Sequence, residues 1–197
     1  MNRVPGSKHL DFGCGSTPRN PFDCEIVETL DLVGAGIVSS VEIENGMPIP
    51  FPDGYFDSIS AYDVLEHISR NDLGKNLFIF YMNEFSRVLK VNGHGLFIFP
   101  EWNTSDAFSD PTHVNYITKE TLNYFIGVNT KGGYAGIETN FEVLINSNLR
   151  FWKNWVYQAE MNENSQKESL RRRISLIKRT IKRVLMPQHR VWLVRKV

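Results

Sequence analysis

"HLDFGCGSTPRNPF", residues 9–22, decides how the rest of the chain is read. His9 to Phe12 reads as a short buried strand that runs into Gly13-Cys14-Gly15 and then, at Pro18, into a proline. A strand followed by a glycine turn is the opening of a nucleotide-binding unit. There the glycines let the backbone approach the ligand and take up positive φ. A dinucleotide fold wants a third glycine, so that the following helix packs on the strand and receives a pyrophosphate. Here Pro18 stands in that place, which a ligand without phosphates tolerates. Asp31, 20 residues after Asp11, falls at the end of the next strand, where an acid accepts hydrogen bonds from ribose hydroxyls. A plain tight turn beside a surface acid is the competing reading of these residues.

Outward from this stretch the chain alternates strands and helix. Glu25–Leu32 and the β-branched Ile37–Ile43 read as the second and third strands. Asn45–Gly54, with three prolines, is a loop, and Tyr55–Asp63 is a fourth strand. Residues 71–90 carry the strongest helical periodicity, with Asp72 as the expected cap and "VNGHG" as the stop. Gly95–Pro100 follows as a fifth strand. Asn140–Trp152 and Arg190–Val197 are two later strands. This order predicts an α/β fold, Rossmann-like, with a seven-stranded mostly parallel sheet. Its last strand runs antiparallel in a hairpin with the one before, and helices cover both faces.

With 197 residues and 42% hydrophobic composition, one α/β domain over 1–197 is expected. A basic helical insertion at about 153–187 separates the last two strands. No run approaches the roughly 20 apolar residues of a membrane span. Two cysteines, Cys14 and Cys24, make neither a disulfide framework nor a metal-ligand spacing. A cytoplasmic chain without a metal is therefore the expectation. The zero net charge conceals a split. Residues 167–197 hold 11 Lys and Arg against Glu168, and the totals of 22 and 22 leave 11 bases against 21 acids before them. Within Leu170–Leu185, apolar residues gather on one helical face and Lys and Arg cover the rest. Such a helix packs on the domain with a solvated basic face, or it attaches the protein peripherally to an anionic membrane surface. Trp152, Trp155 and Tyr157 would then lie at the headgroups. Nucleic acid ranks below the membrane, because no stacking platform or RNA module accompanies the basic residues. Oligomeric state is not read from these features.

"LDFGCGSTPRNPF", "IPFPDGYFDSISAYDVLEHI" and "EFSRVLKVNGHGLFIFP", in this order and spacing, resemble the class I S-adenosylmethionine-dependent methyltransferases over roughly residues 8–100. They are most similar to the small-molecule group with an "LPFPD…FD…LEH…RVLKPGG" signature. The resemblance implies S-adenosyl-L-methionine as cofactor and S-adenosyl-L-homocysteine as product. It implies that Asp11, Gly13, Cys14 and Gly15 line the methionine end, with Asp11 reaching the α-amino group directly or through water. Asp31, with Leu32 beside it, would hold the ribose. Glu44 and Asn45 would flank the adenine, Tyr62 and Asp63 would face the cofactor, and His67 would sit near the methyl group. The family's "KPGG" is "KVNGHG" here, and the N-terminal helix that often lids the cofactor is not evident.

"SDPTHVNYIT", after the fifth strand, resembles a segment of family members encoded with glycan-assembly enzymes. The expected acceptor is thus a small molecule, with a sugar hydroxyl of a glycan or glycan-lipid precursor as the specific case. Transfer to oxygen asks the protein to align the acceptor and remove one proton. His113 is the first candidate base, oriented by Asp110 or Glu101; His67 is its rival. A structural role for His113 and Asp110, tying down a loop, competes with both. Two other function classes stay open at this point: a non-catalytic S-adenosylmethionine-binding regulator, and an NAD-binding oxidoreductase, against which Pro18 argues.

Overall fold

A computed structural model describes residues 4–32, 41–43, 45–70, 74–127, 136–148 and 189–197. The basic helix expected near 153–187, including Leu170–Leu185, and Glu44 lie outside these residues, as do Trp152, Trp155 and Tyr157.

Seven strands form one sheet: β1 (Val4–Phe12), β2 (Cys24–Leu32), β3 (Val41–Ile43), β4 (Phe56–Tyr62), β5 (Leu89–Pro100), β6 (Phe141–Asn148) and β7 (His189–Lys196). Their spatial order is β3-β2-β1-β4-β5-β7-β6. The first five pair in parallel, whereas β7 lies between β5 and β6 and runs antiparallel to both. The expected fold class is therefore the observed one, with its reversal of strand order between β1 and β4, where ligands bind in open parallel sheets.

The helix departs from its expected bounds. It is α1, Leu77–Val88, and its cap is Asn76, whose Oδ1 accepts from Ile79 N at 3.2 Å. Asp72, the expected cap, lies outside the described residues, and Gly74 turns the chain at φ +80° just before the helix. "VNGHG" is also no loop: β5 begins at Leu89, directly after α1, and those residues lie inside the strand.

α1 buries Leu77, Phe78, Tyr81, Met82, Phe85 and Val88 on one sheet face with Leu10, Phe12, Leu30, Ile59 and Phe97. Each such aromatic or leucine contributes about 1.5–3 kcal/mol when fully buried. The opposite face carries a second buried group, Cys24, Tyr62, Leu96, Ile98, Val191 and Leu193, with Phe22.

The residues that make the sequence recognisable lock these layers. Glu84 Oε2 accepts from Ile49 N at 2.8 Å and pairs with Arg87 at 2.6 Å. Arg87 also donates to the carbonyls of Ile49 and Phe51 and pairs with Asp53, so the proline-rich loop is clamped to α1. Its guanidinium fork suits this planar set of acceptors, and the pairing raises its already high pKa. Asp57 accepts from Lys8 N at 2.9 Å and Lys90 Nζ at 2.8 Å, which joins the starts of β1, β4 and β5.

Candidate functional site

A shallow cleft, partly open to solvent, lies at the carboxyl ends of β1 and β2. Its walls include Phe12, Gly13, Leu30, Asp31, Asn45 and His67, with Val64, Ile68 and Tyr81 behind. Gly13 has φ +68°, and a Cβ there would come within 2.6 Å of Val64 Cγ2. No side chain fits between the turn and the wall of the cleft. The turn is fastened to β2: Gly13 N donates to Leu30 O at 2.8 Å, and Gly15 N donates to Asp31 Oδ2 at 3.1 Å. Cys14 is buried against this turn, its Sγ 3.9 Å from Asp31, and burial raises its pKa. Asn45 donates weakly to Ser69 Oγ at 3.4 Å, and Tyr81 Oη accepts from Gly46 N at 2.8 Å. Leu32 continues β2 opposite Ile43 of β3.

Of the residues expected at a cofactor, the cleft gathers Gly13, Asp31, Asn45 and His67. Asp11 and Tyr62 lie elsewhere. Asp11 is fully buried on the other face of the sheet, where its carboxylate accepts from Arg19 N at 2.7 Å and Ser60 Oγ at 2.8 Å. Burial pushes its pKa up to about 6. The phenol of Tyr62 is buried beneath the Arg19 guanidinium, 4.6 Å from the ring centroid, and burial raises its pKa. Asp63, at φ +53°, turns its carboxylate to His189 Nε2 of β7, 2.9 Å away.

Behind Asp11 runs a chain of buried polar groups. Ser60 donates to Asp11 and therefore accepts from His9 Nε2, at 2.9 Å; His9 Nδ1 then accepts from Ser58 Oγ at 2.8 Å, and Cys24 Sγ lies 3.3 Å from Ser58 Oγ. Each hydroxyl is used once as donor and once as acceptor. Burial brings the His9 pKa down to about 3, so its ring is neutral.

The acceptor-side candidates meet at the edge of the cleft. Val114 N and Asn115 N both donate to Glu66 O, at 2.8 and 3.0 Å. Asn115 Nδ2 donates to the carbonyls of Leu65 and Ile68. These bonds dock "DPTHVN" on "LEHI" and bring His67 and His113 edge to face, ring centroids 4.6 Å apart. Thr112 Oγ1 donates to Asp110 Oδ1 at 2.6 Å, so at 2.9 Å from His67 Nδ1 it accepts. Asp110, held below the usual carboxylate range chiefly by Thr112, thus orients His67 through that hydroxyl. His113 is held differently: its Nδ1 donates to Ala107 O at 3.1 Å. Asp110 Oδ2 stays 3.9 Å from His113 Nε2, beyond a hydrogen bond. Glu101, the other expected orienter of His113, pairs instead with Arg190 of β7. Burial lowers the pKa of His67, with His113 adding to the effect, so His67 is neutral at physiological pH. Downstream, Thr118 precedes a single 3₁₀ turn, Thr121–Tyr124, and its Oγ1 accepts from Glu120 N at 3.2 Å.

Glu66, Thr112, Asn115 and His189 carry parts of this arrangement that the sequence did not single out. Glu66 and Asn115 lay within quoted motifs, but only their mutual docking gives them a role. Among the described residues, no helix is long and apolar enough to cross a membrane.

Residues 10–97 match the family model described as a methyltransferase domain. A solved S-adenosylmethionine-dependent methyltransferase from Aquifex aeolicus superposes with a TM-score of 0.52 at 13% identity, over 98% of this chain and 83% of that one. The cyclase SpnF superposes with a TM-score of 0.51 at 18% identity, over 97% and 75%. No curated protein sequence matches the chain. At such identities the structures speak for the fold, and one of them is a cyclase, so fold alone does not set the reaction.

Proposed function

We propose, from the match of residues 10–97 to a methyltransferase domain and from a fold shared with an S-adenosylmethionine-dependent methyltransferase, that the chain transfers the methyl group of S-adenosylmethionine to an oxygen of a small-molecule acceptor, with a sugar hydroxyl of a glycan or glycan-lipid precursor as the first class to test. The observation that carries this reading is the docking of Thr112–Asn115 on Leu65–Ile68 at the mouth of the cleft. It sets an oriented, neutral histidine beside the place for the cofactor.

When bound, S-adenosylmethionine supplies a methyl group already activated on a sulfonium. The cleft suits this molecule: apolar walls from Phe12, Leu30 and Ile68 fit a nucleoside base, and the bare backbone of Gly13 allows close approach. Asp31, at the end of β2, is positioned to accept from ribose hydroxyls, and Asn45 is positioned by the base. Asp11 acts one layer behind, holding Arg19 and the turn. On the acceptor side, His67 takes the proton. It lines the cleft, whereas the His113 side chain is only 7% exposed behind it. Its Nδ1–H is fixed by Thr112, which leaves Nε2 with the lone pair that accepts. The geometry thus supports the second of the two histidine candidates as base and gives Asp110 to His67.

Calorimetric titration with S-adenosylhomocysteine tests the cofactor half. Micromolar affinity, about −8 kcal/mol, weakened tenfold or more in Asp31→Ala, is expected. Wild-type chain that fails to bind removes the reading. Turnover on sugar acceptors that is indifferent to His67→Ala would assign proton removal elsewhere, and binding without turnover on any acceptor would favour a regulatory cofactor-binding role.

A further inference from the structure

Glu66 is the buried acid that the proton-transfer reading does not use. Its side chain is 4% exposed, and neither carboxylate oxygen has a hydrogen-bond partner among the described residues. A buried carboxylate in this position costs several kcal/mol unless it takes up a proton or a cation binds it. Two imidazoles stand beside it, each fastened through Nδ1–H to a protein oxygen, His67 to Thr112 and His113 to Ala107. Both tautomers are therefore set with Nε2 as a lone-pair nitrogen. This is how metal-bound histidines are held, by an outer partner that fixes the ring and raises its basicity. Here the outer partner of His67 is itself bonded to a carboxylate, Asp110. His113 Nε2 lies 4.0 Å from Glu66 Oε1, and donor atoms of Glu66, His67 and His113 lie within 4.8 Å of one another.

We propose that Glu66, His67 and His113 bind a divalent first-row transition ion, which presents an open coordination position to the acceptor oxygen. Two imidazoles and one carboxylate suit Zn²⁺, Co²⁺, Fe²⁺ or Mn²⁺ rather than Ca²⁺ or Mg²⁺. Ligand bonds of about 2.0–2.2 Å require the three donors to draw together by roughly 1 Å. Asp63 and Asp110 add negative charge around Glu66, which a cation offsets. Closed structural sites use four protein ligands, whereas three with an open position is the catalytic pattern. His67 lines the cleft, so that position faces the acceptor side. An acceptor hydroxyl that reaches the ion gives its proton to solvent water more readily, because the cation stabilises the alkoxide left behind. In that form His67 serves as a ligand, and the ion takes over the task of ionising the acceptor. No metal-ligand spacing is visible along the chain, since two adjacent residues and a third from a separate segment supply the donors.

Ion binding rests on this geometry alone; only its catalytic use rests on the proposed methyl transfer. The test uses the full chain without an affinity tag, stripped with a chelator and titrated with Zn²⁺ by calorimetry and with Co²⁺ by visible absorption. One ion per chain at micromolar Kd or tighter is expected, with Co²⁺ bands in the visible. Glu66→Gln and His113→Gln should each weaken binding at least tenfold. A wild-type chain that binds neither ion overturns the proposal, and so does binding that the His67→Ala/His113→Ala pair leaves unchanged. S-adenosylhomocysteine titration on the same preparations keeps the two readings apart. Cofactor binding without ion binding sinks the ion alone, and ion binding without cofactor binding sinks the methyltransferase site alone.

Discussion

The proposed cofactor cleft and the histidine cluster at its mouth are built from different materials. The cleft is made of backbone and apolar walls: a glycine that cannot bear a Cβ, a carboxylate at a strand end, and Phe12, Leu30 and Val64. The cluster is made of titratable side chains from two segments, residues 65–68 and 110–115, joined by main-chain hydrogen bonds. A cleft of the first kind holds one ligand by shape and leaves local sequence marks. A cluster of the second kind adapts to different acceptors, and it exists only once the two segments meet.

The difference can be broken first at His67. His67→Ala should lower kcat by 10²-fold or more, about 3 kcal/mol or above, while the Kd for S-adenosylhomocysteine changes less than threefold. An equal loss of cofactor affinity would erase the boundary between the two regions. Arg87→Ala touches neither region. It leaves the carbonyls of Ile49 and Phe51 without their Arg87 donor and Glu84 with only Ile49 N and should cost about 3 kcal/mol of stability, read from urea unfolding, with little effect on kcat of the folded fraction. Gly13→Ala forces a methyl against Val64 at positive φ. About 2 kcal/mol of stability and a tenfold or greater loss of S-adenosylhomocysteine affinity are expected, with Co²⁺ binding unchanged.

The smallest effect is a pH slope. His9 has its folded pKa near 3, well below the free value of 6.5. Its neutral ring therefore contributes stability that is complete above about pH 6.5 and is lost as pH falls toward 3. Asp11, raised to about 6, runs the other way between its free value of 3.8 and 6. Ser58 and Ser60 contact the His9 ring, Cys24 reaches it through Ser58, and Phe22 packs against it. Replacing His9 by Gln should lower the midpoint of thermal unfolding overall yet flatten its fall between pH 6.5 and 4. An unchanged slope would place the acid sensitivity in another group.

The sheet was largely legible because buried parallel strands announce themselves as short apolar runs bounded by turns. β4 and the antiparallel β7 fell within a residue of expectation. The start of α1 was not legible, since Asp72 and Asn76 are equally good caps locally and only the turn at Gly74 separates them. β5 was longer than expected because "VNGHG" reads as a turn by composition, and Asn92 does turn at φ +64°, while His94 and Gly95 pair with β4 and β7 as strand. Backbone demands and spacing singled out Gly13 and Asp31, and both line the cleft. Asp11 and Tyr62 were misplaced with respect to the cleft because their side chains are taken up by other partners, Asp11 by Arg19 N and Ser60 and Tyr62 beneath the Arg19 guanidinium. Glu101 was drawn away from His113 by Arg190, 89 residues later in the sequence. The resemblance itself rested heavily on scaffold: Asp53, Asp57, Glu84, Arg87 and Lys90 hold layers together and touch no part of the cleft.

The position of β7 has a consequence for how the molecule comes into being. β6 is sewn to the sheet through β7, which the ribosome delivers some 40 residues later. Until His189–Lys196 arrives, the flank of β5 that receives β7 is an unpaired template and β6 lacks its strand partner. Non-local pairing of this kind folds slowly and leaves an open edge exposed to other chains. The growing polypeptide therefore carries a completed cofactor turn beside an unfinished margin. Refolding yield is therefore expected to fall as chain concentration rises, because the unpaired margin of β5 can meet other chains.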